Sequence, residues 1–151
     1  MAADQDVRAQ AMQLFNRCWE LMEQSDRTPA ETEEMIAAAL ESRSLWGQVG
    51  GGKEASVGEW QISRAYRVAG KATEARHHAE QSLTLALEHG LTDFYHAAAH
   101  EAMGWAHHLA ARAEQARESL RCAEDLLQKL EDPEEIEILA ADLAALEAEL
   151  G

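Results

Sequence analysis

Basic residues are scarce in this chain of 151 residues: 13 Lys and Arg stand against 28 Asp and Glu, a formal net charge of −15 at pH 7. That balance repels a phosphate backbone and an anionic bilayer alike, so neither nucleic acid nor membrane is an expected partner. Long apolar runs are missing as well, and none approaches the ~20 residues that a membrane-spanning helix needs. Two cysteines, Cys18 and Cys122, lie far apart and offer neither a disulfide framework nor a zinc knuckle. Proline occurs only at Pro29 and Pro133, and both places read as helix starts. The opening Met1-Ala2-Ala3-Asp4-Gln5-Asp6 is polar and acidic, unlike a secretion signal. A hydrophobic content of 46% suffices for a core and disfavours a disordered tail. The expectation is one cytoplasmic domain spanning 1–151.

What is present is helical periodicity, with no sustained two-residue alternation. Val7, Ala11, Leu14, Cys18 and Leu21 form one stripe. Thr28, Pro29 and Glu31 make a capping-box start for a second helix that ends near Gly47, before a flexible Gly50-Gly51-Gly52. A third helix spans about Glu54 to Ala69, and a fourth runs from Thr73 to His89 with Ala75, Ala79, Leu83, Ala86 and Leu87 inward. Gly70 and Gly90 suit helix ends. Thr92 or Asp93 caps a fifth, a sixth carries Leu120 and Leu127, and Asp132-Pro133 starts a seventh with Leu139, Leu143 and Leu146 on one side. The fold class is all-α.

An internal repeat organises these helices. Ala65, Ala69, Ala72, Ala75 and Arg76 return 41 positions later as Ala106, Ala110, Ala113, Ala116 and Arg117, superposing two helix pairs and their turns. Small side chains at such places let helix backbones approach closely. On these residues the chain resembles the tetratricopeptide repeat family, whose unit is a helix–turn–helix. The family's Leu-small-x-x-Tyr core appears as Ile62, Ser63 and Tyr66, and its small residue opening the second helix as Ala75. The next unit has Met103, Gly104, His107 and Ala116 there. The unit is longer than the family's usual ~34 residues, and His107 replaces the aromatic. The resemblance covers 54–130 well and 7–50 weakly. It implies a right-handed superhelix of three helical hairpins with the acidic seventh helix as a C-terminal cap.

The resemblance also implies that first-helix positions line a concave, peptide-gripping groove. On the fifth helix one face holds Glu101, Trp105, His108 and Arg112; the equivalent positions of the third are Trp60, Arg64, Arg67 and Lys71. Tryptophan supplies contact area at little entropic cost, and arginine grips a carboxylate bidentately. Trp60, Arg64, Arg67, Glu101, Trp105 and His108 are therefore candidate peptide-binding residues, for a protein or peptide partner with an acidic segment or a C-terminal carboxylate. The module would act alone or as a homodimer. No Asn/Lys set like that of the family's chaperone-tail clamps is present.

His96, His100 and His107 share another face of the fifth helix. His96 and His100, one turn apart, are a candidate metal pair, with His77-His78 as outside donors, whereas His107 lies about two turns away. Packed histidines bonded to neighbours are the plainer expectation. Gly47 to Lys53 fits the opening of a phosphate-binding loop, but Glu54 stands where that motif needs Ser or Thr, and a helix precedes it. No nucleophile elbow and no His-Glu-x-x-His helix occurs. The expectation is a binding module with no catalytic residues and no cofactor, the alternative being a small-ligand or metal-binding helical protein.

Overall fold

A computed structural model describes residues 2–151. They form seven helices and no strand: α1 Ala2–Glu23, α2 Pro29–Val49, α3 Gly52–Val68, α4 Ala72–Glu88, α5 Asp93–Leu109, α6 Ala113–Leu127 and α7 Pro133–Leu150. None of the described helices is long and apolar enough to cross a membrane.

Local chemistry fixes the helix ends. The Thr28 hydroxyl accepts from Glu31 N–H at 3.1 Å, and the Glu31 carboxylate accepts from Thr28 N–H at 3.1 Å, closing the expected capping box. Asp132 caps α7 by accepting from Glu134 N–H at 2.9 Å, with Pro133 in the first turn. Helices α3, α4 and α5 end on a left-handed residue, at Gly70 (φ 80°), Gly90 (φ 60°) and Ala111 (φ 60°). Each end is closed by crossed amide bonds, such as Lys71 N–H to Tyr66 O and Arg112 N–H to His107 O, both 2.9 Å. The α2–α3 junction differs from the flexible glycine stretch expected there. Helix α2 runs on to Val49 and α3 begins at Gly52, leaving two linking residues. Glu54 then accepts from Gly51 N–H at 3.0 Å, so no phosphate-cradling loop exists.

Helices α1 with α2, α3 with α4 and α5 with α6 pair as hairpins, and α2 with α3 and α4 with α5 join successive pairs. The odd-numbered helices also meet one another, α1 with α3, α3 with α5 and α5 with α7. One apolar cluster includes Cys18, Leu21, Met35, Ile62 and Ala65; another joins Ala97, Leu120 and Ala123 to Leu139, Leu143 and Leu146 of α7. Equivalent places hold small residues. Ser63 donates to Ala75 O at 2.7 Å, where α3 crosses α4. Its counterpart Gly104 sits so close to α6 and α7 that an added Cβ would come within 2.6 Å of Leu146 Cδ2. Likewise the buried Ser56 and Ser82 correspond to the fully buried Ala97 and Ala123. Leu87, expected inward, is 61% exposed.

Ala111 occupies the left-handed turn position that Gly70 fills one repeat earlier, at a cost of about 1 kcal/mol for its Cβ. Ala111→Gly should therefore raise the midpoint of thermal unfolding by roughly 2–4 °C, read by circular dichroism. An unchanged or lower midpoint would show that the turn carries no such strain.

Candidate functional site

The odd-numbered helices carry a column of residues spaced by the repeat length. Trp19, Trp60, Glu101 and Asp142 fall on α1, α3, α5 and α7. Trp19 and Trp60 rings lie 5.7 Å apart, and Trp60 Nε1–H donates to Glu101 Oε1 at 3.2 Å across 41 residues of sequence. Asp142 completes the column by pairing with Arg64 at 3.5 Å. Arg64, one helical turn beyond Trp60, sets its guanidinium 5.3 Å from the Trp19 ring and 5.1 Å from the Trp60 ring. Arg67, a turn further, stacks over Trp105 at 4.2 Å. Side chains from four helices thus build one wall of indoles, guanidiniums and carboxylates.

The wall's charges are largely withdrawn from water. Glu101 is 2% exposed, and burial pushes its carboxyl above the ordinary 4.5, with Asp142 adding to the push and Arg64, Arg67 and the Trp60 bond opposing it. Burial, together with repulsion from Arg64, pushes the Arg67 guanidinium down to about 10, against the attraction of Glu101 and Asp142; it stays cationic at neutral pH. The space enclosed by Ser63, Arg64, Arg67, Glu101 and Trp105 is only about 10 Å³. Glu101 Oε2 and Trp105 Nε1, both buried, have no hydrogen-bond partner among the described residues.

The structure brings together Trp60, Arg64, Arg67, Glu101 and Trp105, and sets His108 at their edge. The His108 ring meets Trp105 edge-on at 6.0 Å, and its Nε2 lies 3.6 Å from Glu149 of α7. Trp19 and Asp142 were not expected in this wall, although the repeat spacing applied to Trp60 and Glu101 leads to both. Two wider hollows lie along α3, the smaller of them adjoining the wall. One, of about 340 Å³, opens between α1 and α3 and is lined by Met12, Phe15, Trp46 and Val57. The other, of about 100 Å³, lies where α7 covers α3 and α5, and it shares Val57 with the first and Trp60 with the wall.

The histidine face is arranged differently. His96 Nε2 bonds Leu91 O at 3.0 Å, and His100 is held below the usual imidazole range by burial and by His96. His78 is engaged elsewhere, bonded to Glu59 at 3.0 Å and stacked on Tyr66 at 5.5 Å. Among the described residues no group of three or more His, Cys, Asp or Glu is placed to hold a metal ion. His107 faces α6 beside Gln115, Glu118 and Cys122, and burial holds it too below its usual range. The buried Cys18 thiol is pushed up to about 12, out of nucleophilic range at neutral pH.

No family model matches the chain, and no curated protein or solved structure shows significant similarity to it.

Glu101 gives a pH signature. Its carboxyl is raised in the fold, so its contribution is most favourable below the ordinary carboxylate range and is lost as pH rises through the folded value. Glu101→Gln keeps the acceptor for Trp60 and removes the charge. It should unfold a few degrees above the wild type near pH 8, with the gap closing toward about pH 4 in paired thermal melts. A gap that is constant with pH, or of opposite sign, would contradict a destabilised carboxylate.

Proposed function

We propose that this chain is a tetratricopeptide-like peptide- or protein-binding module without a catalytic step, its odd-numbered helices lining the inner side of a right-handed superhelix. Support comes from the repeat spacing shared by α3 with α5 and by α4 with α6, the hairpin pairing, and the close helix crossings at Ser63–Ala75 and Gly104–Ala116. The single observation that carries the binding reading is the succession of three concavities along α3, neighbours sharing Val57 and then Trp60. It passes from the hollow under Met12, Phe15 and Trp46, through Val57, to Trp60 and the arginines.

A partner would lay apolar side chains over this run and bring a carboxylate to its arginine end. Arg67 is suited to that task. Arg64 already pairs with Asp142, whereas Arg67 rests on Trp105 with no carboxylate in ion-pair range among the described residues. A guanidinium lying on an indole keeps its in-plane donors available for a bidentate carboxylate. Access requires the tight space around Arg67, between α3 and α5, to widen, because the cavity there is small. Unpaired Cys18 and Cys122 fit the reducing cytoplasm in which such a module would work.

Peptides selected on the wild type from a random library with free C-termini test this reading. Their affinity should fall about tenfold or more with Arg67→Ala, and by a similar factor when their carboxylates are amidated. The measurement is isothermal titration calorimetry. Binders insensitive to both changes would remove the carboxylate grip, and a library that yields none would remove the groove.

A further inference from the structure

The hollow beneath α7 has a chemistry distinct from that of the arginine end. Its volume is about 100 Å³, and Val57 and Trp60 of α3, Phe94, Tyr95 and Ala98 of α5 and Leu139 of α7 form most of its lining. Few polar groups border it, and most are already engaged. Ser56 and Ser82 each donate to the other's carbonyl at 2.9 Å, and the Asp142 carboxylate faces Arg64 at 3.5 Å. Only the Tyr95 hydroxyl and the Asp142 carboxylate could answer an ionic guest, too little to offset its dehydration in so apolar a lining. Ile138 lines the same hollow while 55% exposed, which places the way in along that edge of α7.

Protein interiors seldom leave space of this size unfilled. An apolar cavity of ~150 Å³ stays dry and takes up benzene. We infer that the hollow between α3, α5 and α7 is a binding site for one uncharged aromatic or branched-alkyl group, no larger than about a benzene ring. That group arrives either as a free small molecule or as a side chain of a bound peptide. In the second case the site is the apolar anchor of the groove proposed above and rests on that reading; in the first it stands without it.

Benzene is the probe for the first source and N-acetylphenylalanine amide for the second. Each is titrated against the full chain, with thermal unfolding and ligand-observed NMR as readouts. Saturable binding of benzene, with a midpoint that climbs with ligand concentration, is the expected result. Ala98→Leu and, separately, Val57→Phe fill the hollow from two walls, and either folded variant should lose the response. Benzylammonium, similar in shape but charged, should bind at least tenfold more weakly than benzene. Displacement of benzene by the capped phenylalanine identifies the peptide source, and binding of benzene alone identifies the small-molecule source; both outcomes support the site. No saturable response to either probe in the wild type overturns the inference, as does an equal response in the filled variants. Loss of peptide binding in Arg67→Ala with benzene binding intact would separate the groove from this site.

Discussion

Much of this architecture depends on how one guanidinium is accommodated. Arg64 lies against the rings of both Trp19 and Trp60 and faces Asp142, so a cation on α3 is held by side chains of α1 and α7 as well as its own helix. Indole faces stabilise such a charge electrostatically while shedding little water of their own. The arrangement sets the conditions for its neighbours. Arg67 rests on Trp105, its charge disfavoured by burial and by Arg64 and favoured by Glu101. Glu101 tolerates burial because two guanidiniums and the Trp60 N–H stand against its dehydration. Removing either arginine would leave the buried Glu101 carboxylate with less compensation.

Helix boundaries were legible wherever a short-range chemical signal sets them. Thr28-Pro29-x-Glu31, Asp132-Pro133, Gly70 and Gly90 all act as their residue types suggest. The failures have identifiable physical causes. Ala111 adopts a left-handed conformation that alanine does not announce, imposed by the same crossed amide bonds that Gly70 makes comfortably. The triple glycine reads as slack, yet Gly52 is required by the close passage of His89 from the end of α4, and Gly51 is tied by Glu54. Leu87 lies roughly 100° around α4 from the stripe of buried Ala75, Ala79, Ser82 and Ala86, so it faces water although Ala86 beside it does not.

The site was legible in part for a similar reason. Position along a helix tells which side chains share a face, so Trp60, Arg64 and Arg67 on α3, and Glu101, Trp105 and His108 on α5, could be grouped from spacing. Spacing does not tell what faces them. Asp142 belongs to the most acidic third of the chain, where a charge count suggests solvated surface, yet it turns inward to Arg64. Trp19 was hidden because the longer first hairpin aligns loosely with the others. The histidines show the converse: His96 and His100 share a face, but the Leu91 carbonyl claims one ring.

A stack of helical hairpins is ordinarily a chain of local acquaintances, each unit stabilised only by the next, so that its ends fray independently. The ion pair from α3 to α7 passes over the intervening hairpin and ties the second unit to the last helix. Detachment of α7 would therefore be felt in the middle of the molecule as well as at its edge. For a surface assembled from four helices, that long reach means its shape is retained or forfeited as a whole, and damage at the far end is not absorbed locally.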